Sequence, residues 1–272
     1  MKKTFNERVT ILSAYIKENH LESLVLGISG GIDSTLCAAI CMEACIATKI
    51  KFIGRSLPMS TNKDDEVALS RLVGITFCPD DFKIVQLADI QHYTCTAISE
   101  GMELPNLQKG NIQARLRMIY LYNLASLNKG MVIDTDNLTE HYLGFWTIHG
   151  DDGDYNPIAD LWKTEVYEMA EYVKEKYKAK DDILSEVIEK SINATPTDGL
   201  GISNSDLDQI GASSYKHVDK ILQSLLNTHS SFADVMYDLQ FNEGIDANEI
   251  ANVYNKYYKS RFKRRSLPIN PY

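Results

Sequence analysis

The sequence predicts an α/β fold: an open, mostly parallel sheet with helices on both faces and a helical C-terminal part. Three observations lead there. Short apolar runs of strand length alternate with longer segments whose apolar residues recur at helical spacing, as in a sheet wound with helices. The first run, Leu24-Val-Leu-Gly-Ile28, passes through a glycine turn directly into an apolar helix that begins near Ile32. From Lys163 onward the pattern is almost entirely helical. The 272 residues, 44% of them apolar, suffice for one sizeable core or two small ones, and residues 1–272 read as a single domain.

Taken in order, Asn6 to Glu18 places Val9, Ile11, Leu12, Tyr15 and Ile16 at helical spacing, a cover for the sheet. The first strand and its glycine turn follow, then a second strand at Lys49 to Gly54 and a helix from Thr61 to Leu72, opened by Thr61 with acids in its first turns. Phe77 to Val85 reads as a third strand broken by Pro79, and Gln86 to Ser99 as a helix. Lys109 to Leu127 forms a helix with one apolar stripe, Ile112, Leu116, Ile119, Tyr120 and Leu124. Met131 to Asp134 is another strand. Ligands of such sheets bind at the carboxyl ends of the strands. Both Ser29 to Ser34 and Asp134 to Glu140 lie at such ends.

Composition excludes several classes. With no long uncharged apolar run and no signal-like N-terminus, the expectation is a soluble cytoplasmic protein without membrane contact. A net charge of −9 argues against nucleic acid as a partner, despite the basic stretch Arg261 to Arg265. Cys37, Cys41 and Cys45 fall four apart on the helix after the glycine turn, where they behave as small buried hydrophobes. Cys78 and Cys95 stand alone, so neither zinc nor a disulfide framework is expected.

The glycine turn is the most informative stretch. Gly30 and Gly31 permit positive φ and close backbone approach, while Asp33, Ser34 and Thr35 sit where the new helix has unpaired N–H groups. Free amides, hydroxyls and the positive helix end converge there, which makes an anion site suited to phosphate. A Walker loop needs Gly-Lys-Ser/Thr, and no lysine lies between Lys17 and Lys49. Gly27, Gly30 and Gly31 do not fit the dinucleotide fingerprint either. Ser29-Gly-Gly-Ile-Asp-Ser34 instead resembles the S-G-G-x-D-S loop of the ATP pyrophosphatases, which hold pyrophosphate there and place magnesium on the Asp. A plain strand-to-helix turn would use the same glycines, but strand, loop and helix occur here in the order the phosphate site needs.

Further stretches narrow the resemblance. Lys109-Gly-Asn-Ile-Gln-Ala-Arg-Leu-Arg-Met118 puts Arg115 and Arg117 two apart, so on a helix they point about 200° from one another. Alone, such arginines are an ordinary solvated face. They occur, however, with Thr135-Asp-Asn-Leu-Thr-Glu140, Gly150-Asp-Asp-Gly-Asp154, Asn156-Pro-Ile-Ala-Asp-Leu-Trp-Lys-Thr-Glu-Val166, Pro196-Thr-Asp-Gly-Leu200 and Lys263-Arg-Arg265. In this order the set is similar to ammonia-dependent NAD synthetases, from about Phe5 to Pro268.

What the resemblance implies is a Rossmann-like, adenine nucleotide alpha hydrolase-like fold and the ATP-dependent amidation of nicotinic acid adenine dinucleotide with ammonia. The reaction would pass through an acyl-adenylate and release AMP and pyrophosphate. By motif position Asp33 and Glu140 would be the catalytic pair that binds magnesium. Gly27, Ile28, Ser29, Gly30, Gly31, Asp33, Ser34, Arg117, Thr135 and Ser214 would bind ATP. Asn111, Arg115, Asp154 and Lys263 would bind the dinucleotide. The family's members are homodimers, and the aromatic and apolar content of 109–127, with Tyr120 and Tyr122, points to that helix as the interface. No glutaminase domain fits in the chain, so ammonia is the implied nitrogen donor.

The sequence also departs from the family. Ile148 replaces a substrate-binding lysine and Ala194 an ATP-binding one, and Lys163 or the basic cluster Arg261, Lys263, Arg264 and Arg265 is expected to supply part of the lost charge. Asp134 replaces a glycine, Phe262 a histidine, and Ser56 an arginine that Arg55 precedes by one position. Two other readings therefore fit the same residues: an adenylating amide ligase for another carboxylate, and a catalytically weak nucleotide-binding paralogue. Release of pyrophosphate separates the ligases from the paralogue.

Overall fold

A computed structural model describes residues 4–197, 205–226 and 231–264. The chain opens with α1 (Phe5–Glu18), started by a capping box in which the Thr4 hydroxyl accepts from the Glu7 amide and Glu7 accepts from the Thr4 amide. There follow β1 (Ser23–Gly27), α2 (Ile32–Thr48), β2 (Lys51–Ser56), α3 (Asp64–Phe77), β3 (Phe82–Ile84), α4 (Ala88–Ile98), α5 (Asn106–Leu127), β4 (Gly130–Ile133) and α6 (Leu138–Leu143). The remainder is helical: α7 (Lys163–Lys178), α8 (Asp182–Asn193), α9 (Asp206–Ile210), α10 (Tyr215–Leu226), α11 (Phe232–Phe241) and α12 (Ala247–Lys259).

The four strands form one parallel sheet in the order β3-β2-β1-β4. Winding proceeds from β1 through β2 to β3 and then returns to the other side of β1, so the direction reverses between β1 and β4. In sheets of this kind a ligand crevice lies above the carboxyl ends of the strands at such a reversal. The loops after β1 and β4 both stand at that point.

Side-chain alternation divides the core. Leu24 and Leu26 point to the face covered by α1, α2, α7 and α8, where they pack with Leu12, Leu36, Ile40 and Val166. Val25, Ile53 and Val132 point to the opposite face, against Leu121 and Ala125 of α5. α2 is apolar almost all round and correspondingly buried, which fits a helix enclosed between the sheet and other helices. A third cluster, with Leu143, Trp162, Val218, Ile221, Leu222 and Ile250, joins α6 and α7 to the C-terminal helices.

Several expected boundaries move. The helix expected from Thr61 begins at Asp64, because Asn62 closes a turn onto the Met59 amide and the Thr61 hydroxyl is engaged with Gln113. Phe77 ends that helix, and the third strand shrinks to Phe82–Ile84. Pro105 precedes α5, which starts three residues earlier than its apolar pattern suggests. Its stripe is not a single buried face: Leu121 and Ala125 meet Val25 and Val132, while Ile119 is 67% exposed. Of the sequence motifs, Asp198 to Leu200 and Arg265 lie outside the described residues.

Candidate functional site

The turn after β1 has the geometry of an anion receptor. Gly30 sits at φ 89°, and a Cβ there would stand 2.7 Å from the Ser70 amide nitrogen of α3, so only glycine lets the two backbones approach. The Ser29 and Ser34 hydroxyls are 2.9 Å apart, and Ser29 accepts from the Gly31 amide. Gly31 is the N-cap of α2 and provides no side-chain cap, so the first amides of a 17-residue helix point unanswered toward this turn. Behind it, Thr35 pairs with Ser191 at 2.9 Å, which fixes the end of α8 against the loop.

Asp33, one residue inside α2, meets the loop after β4 at the sheet's switch point. Its Oδ1 accepts from Asn137 Nδ2 at 2.8 Å and its Oδ2 from Lys163 Nζ at 2.5 Å. The same ammonium donates to Glu140 Oε1 at 3.2 Å. Asn137 also caps α6 in a box with Glu140, so one asparagine orients both carboxylates. Lys163 is 2% exposed. Burial alone would lower its pKa, but Asp33 and Glu140 more than reverse this and hold it well above the ordinary lysine range. Burial pushes Glu140 up to about 7, with Lys163 opposing and Asp33 adding to the rise. Two carboxylates thus share one ammonium, an excess of negative charge on hard oxygen donors that suits a small divalent cation. Among the described residues no group of three or more His, Cys, Asp or Glu side chains is arranged as a metal site. A cation would draw its other ligands from a bound phosphate or water.

A second group gathers around residues 144–150. Gly144 ends α6 at φ 72°, where a Cβ would collide with that of Ser260. Lys263 donates to the Gly144 carbonyl at 2.6 Å and to the Trp146 carbonyl, and Arg264 donates to the Tyr142 carbonyl at 2.7 Å. The turn after α12 therefore clamps the Tyr142 carbonyl, which the end of α6 leaves open, and two carbonyls of the segment beyond it. Asn111 accepts from the Thr147 hydroxyl, and Arg115 donates to the Ile148 carbonyl at 3.2 Å. Trp146 Nε1 is buried without a hydrogen-bond partner.

The expected residues thus fall into separate places. Gly27, Ile28, Ser29, Gly30, Gly31, Asp33, Ser34, Thr135 and Glu140 lie around the crevice. Ser214 caps the first turn of α10 through the His217 amide, next to Tyr215, whose ring lies 5.5 Å from Lys163 Nζ. Asn111, Arg115 and Lys263 surround 144–150. Arg117 turns the other way from Arg115, to the Leu57 carbonyl and Asn62. Asp154 is set apart: its carboxylate accepts from the Val132 amide at 2.8 Å and covers the free edge of β4. Arg55 does not replace the arginine absent at Ser56. Strand alternation puts the two on opposite faces, and Arg55 is buried against the Gly54 and Asp81 carbonyls and the Asp81 carboxylate. Sequence reasoning missed Asn137 and the bridging position of Lys163. Both stand inside motifs, but their partners are 104 and 130 residues away. Ser213, His217 and Glu249 suggest a catalytic triad, yet Ser213 and Glu249 both meet His217 at Nδ1, so no proton relay through the ring is formed.

The family model described as NAD synthase matches residues 4–267. The NH(3)-dependent NAD(+) synthetase of Pyrococcus furiosus is 32% identical over 270 residues, covering 98% of this chain and 95% of that protein. The NH(3)-dependent NAD(+) synthetase of Fusobacterium nucleatum is 30% identical over 99% of this chain and 95% of its own length. In fold, the chain resembles an NH3-dependent NAD synthetase from Campylobacter jejuni, with a TM-score of 0.71, 24% identity and coverage of 98% and 97%. It resembles an NMN synthetase from Francisella tularensis with a TM-score of 0.75, 23% identity and full coverage of both chains.

Proposed function

Because the chain belongs to the NAD synthase family, we propose that it is a C–N bond-forming ligase that amidates nicotinic acid adenine dinucleotide with ammonia at the expense of ATP. The observation that carries this reading is the Asp33–Lys163–Glu140 bridge beside an uncapped helix end, both at the reversal point of a parallel sheet. Polyphosphate needs amide donors, hydroxyls and offsetting positive charge, and the crevice offers all three.

In the first step an oxygen of the substrate carboxylate attacks the α phosphorus of ATP, and the bond to the bridging oxygen breaks with pyrophosphate leaving. Ser29, Gly30, Gly31 and Ser34 hold the departing phosphates on the end of α2. In the second step ammonia adds to the acyl carbon, AMP departs with the bonding pair of the mixed anhydride, and nitrogen loses a proton to give the amide. Asp33 and Glu140 fit magnesium as ligands, and the ion would offset charge on the pyrophosphate when bound. Lys163 supplies a fixed positive charge to the same place. Arg115, Asn111 and Lys263 form the wall offered to the dinucleotide.

A second reading draws on Ile148. With an apolar side chain in place of a lysine, residues 144–150 offer one charged contact fewer than the family motif supplies. A smaller carboxylate-bearing nucleotide would suit them. Mass spectrometry of ATP, magnesium and ammonia with either nicotinic acid adenine dinucleotide or nicotinic acid mononucleotide decides between them. The dinucleotide is expected to give NAD, AMP and pyrophosphate, and turnover of the mononucleotide alone would replace the first reading with the second.

A further inference from the structure

Asp219 on α10 is 2% exposed and lies within the apolar cluster that joins α6 and α7 to the C-terminal helices. A buried carboxylate is expensive unless fully hydrogen-bonded. Its partners are specific. Oδ1 accepts from the Thr139 hydroxyl at 2.5 Å, and Oδ2 accepts from the Thr164 amide at 2.9 Å. The Thr139 oxygen in turn accepts from the Lys163 amide at 2.8 Å. Lys163 and Thr164 are the first two residues of α7, whose N-cap, Trp162, makes no side-chain cap. Glu165 answers only the Trp162 amide, and the amides of Lys163 and Thr164 are answered from α6 and from α10, the latter 55 residues on. The negative charge of Asp219 lies against the positive helix end.

Thr139 is the residue before Glu140, and Lys163 is the residue before Thr164. One carboxylate thus ties a side chain of α6 to the backbone of α7, the two elements whose Glu140 and Lys163 meet at Asp33. A local cap would have stabilised α7 equally well. A cap from another element also fixes how α6 and α7 sit relative to each other. We propose that Asp219 is a positioning residue: through Thr139 and the first turn of α7 it holds Glu140 and Lys163 at the spacing the phosphate site requires. This rests on the phosphate site assigned above.

The test uses the full chain and Asp219→Asn, which keeps shape and an acceptor for the Thr164 amide but loses the charge and turns an amide N–H in place of an acceptor toward the Thr139 hydroxyl. Thr139→Val removes that link altogether while leaving the carboxylate in place. Titration calorimetry is expected to show magnesium-ATP bound at least tenfold more weakly by both variants, with dinucleotide affinity within twofold of wild type. In a Lys163→Met background, Asp219→Asn should add less than a twofold loss. A crystal structure of Asp219→Asn should show the Lys163–Glu140 contact opened beyond 4 Å in an otherwise unchanged fold. Wild-type magnesium-ATP affinity in Asp219→Asn, equal losses for both ligands, or full additivity with Lys163→Met would each overturn the proposal. Wild-type protein that turns over no dinucleotide would strike at the assigned reaction, while nucleotide binding and the Asp219→Asn structure would still decide the role of Asp219.

Discussion

Asp33 accepts hydrogen bonds from Asn137 and from Lys163, so replacing it with asparagine removes a charge but little volume. Glu140 remains to pair with Lys163, and the fold should survive. Pyrophosphate formation by Asp33→Asn is expected to fall at least 100-fold, about the loss seen when one donor that stabilises developing charge is removed. Wild-type release of pyrophosphate would rule out its metal role. Ala194 offers the converse experiment. It ends α8, which the Thr35–Ser191 pair fixes against the phosphate loop, so a lysine there would add charge beside the site. With about 1.5–3 kcal/mol for a charged hydrogen bond, the Michaelis constant for ATP should drop about tenfold or more in Ala194→Lys. No change would mean that Lys163 already supplies enough charge. Lys263 is committed to the Gly144 and Trp146 carbonyls, so Lys263→Ala should loosen residues 144–150 and raise the constant for the dinucleotide more than that for ATP. Asp33 and Glu140 were legible in the sequence because each closes a compact motif after a strand. Lys163 as a bridge was not, since its role exists only once residues 33, 140 and 163 are folded together, and Asp219 carries no local signal at all.

α2 is the element that the sequence describes most completely, since its strand, glycine turn and apolar run are contiguous. Its tightest constraint is Gly30, whose positive φ and contact with the α3 backbone would both oppose a side chain. The left-handed conformation alone costs a non-glycine residue about 1–2 kcal/mol. Gly30→Ala should therefore lower the melting temperature and abolish nucleotide binding, with calorimetry checking both. Burial also determines the chemistry of the cysteines on this helix. It raises the pKa of Cys37 and Cys41 well above the ordinary thiol value and pushes Cys45 up to about 12, while Cys78 against β2 rises to about 11. Thiolate is the reactive form, so these four should resist a thiol reagent in the native protein. Cys95 on α4 is only partly covered. One thiol is expected to react before unfolding and five after it, by titration with a chromogenic disulfide. α5 was less legible, because apolar spacing identifies a helix but not which side of it meets the sheet. Ile119 belongs to the periodic stripe and yet faces outward.

For the molecule as a whole, the strand order explains why two motifs more than 100 residues apart form one site: β1 and β4 are neighbours, although β2 and β3 intervene in sequence. The C-terminal helices are bound to this sheet through α6 and α7, with Leu143 and Trp162 in their apolar cluster and Asp219 in the hydrogen-bond link. We expect residues 1–272 to unfold as one domain in a single calorimetric transition, and two separated transitions would divide the chain. The outer surface raises the question of assembly. Tyr93 and Met102 flank the segment leading into α5, at 72% and 67% exposure, and Ile119 and Leu127 stand on α5 itself at 67% and 73%. Scattered single apolar residues are normal on a surface, and we expect the large ones on α4, α5 and the segment between them to be buried in a homodimer. A twofold pairing through α4 and α5 would bury this set on both copies at once, because a dyad brings the same patch to itself. It would also place the partner near Arg115, which lies on α5 four residues before Ile119. Sedimentation at micromolar concentration should therefore give a dimer, and Ile119→Glu should give a monomer with weakened dinucleotide binding and unchanged melting of the subunit. A wild-type monomer would remove the interface, and an Ile119→Glu dimer would move it to another face.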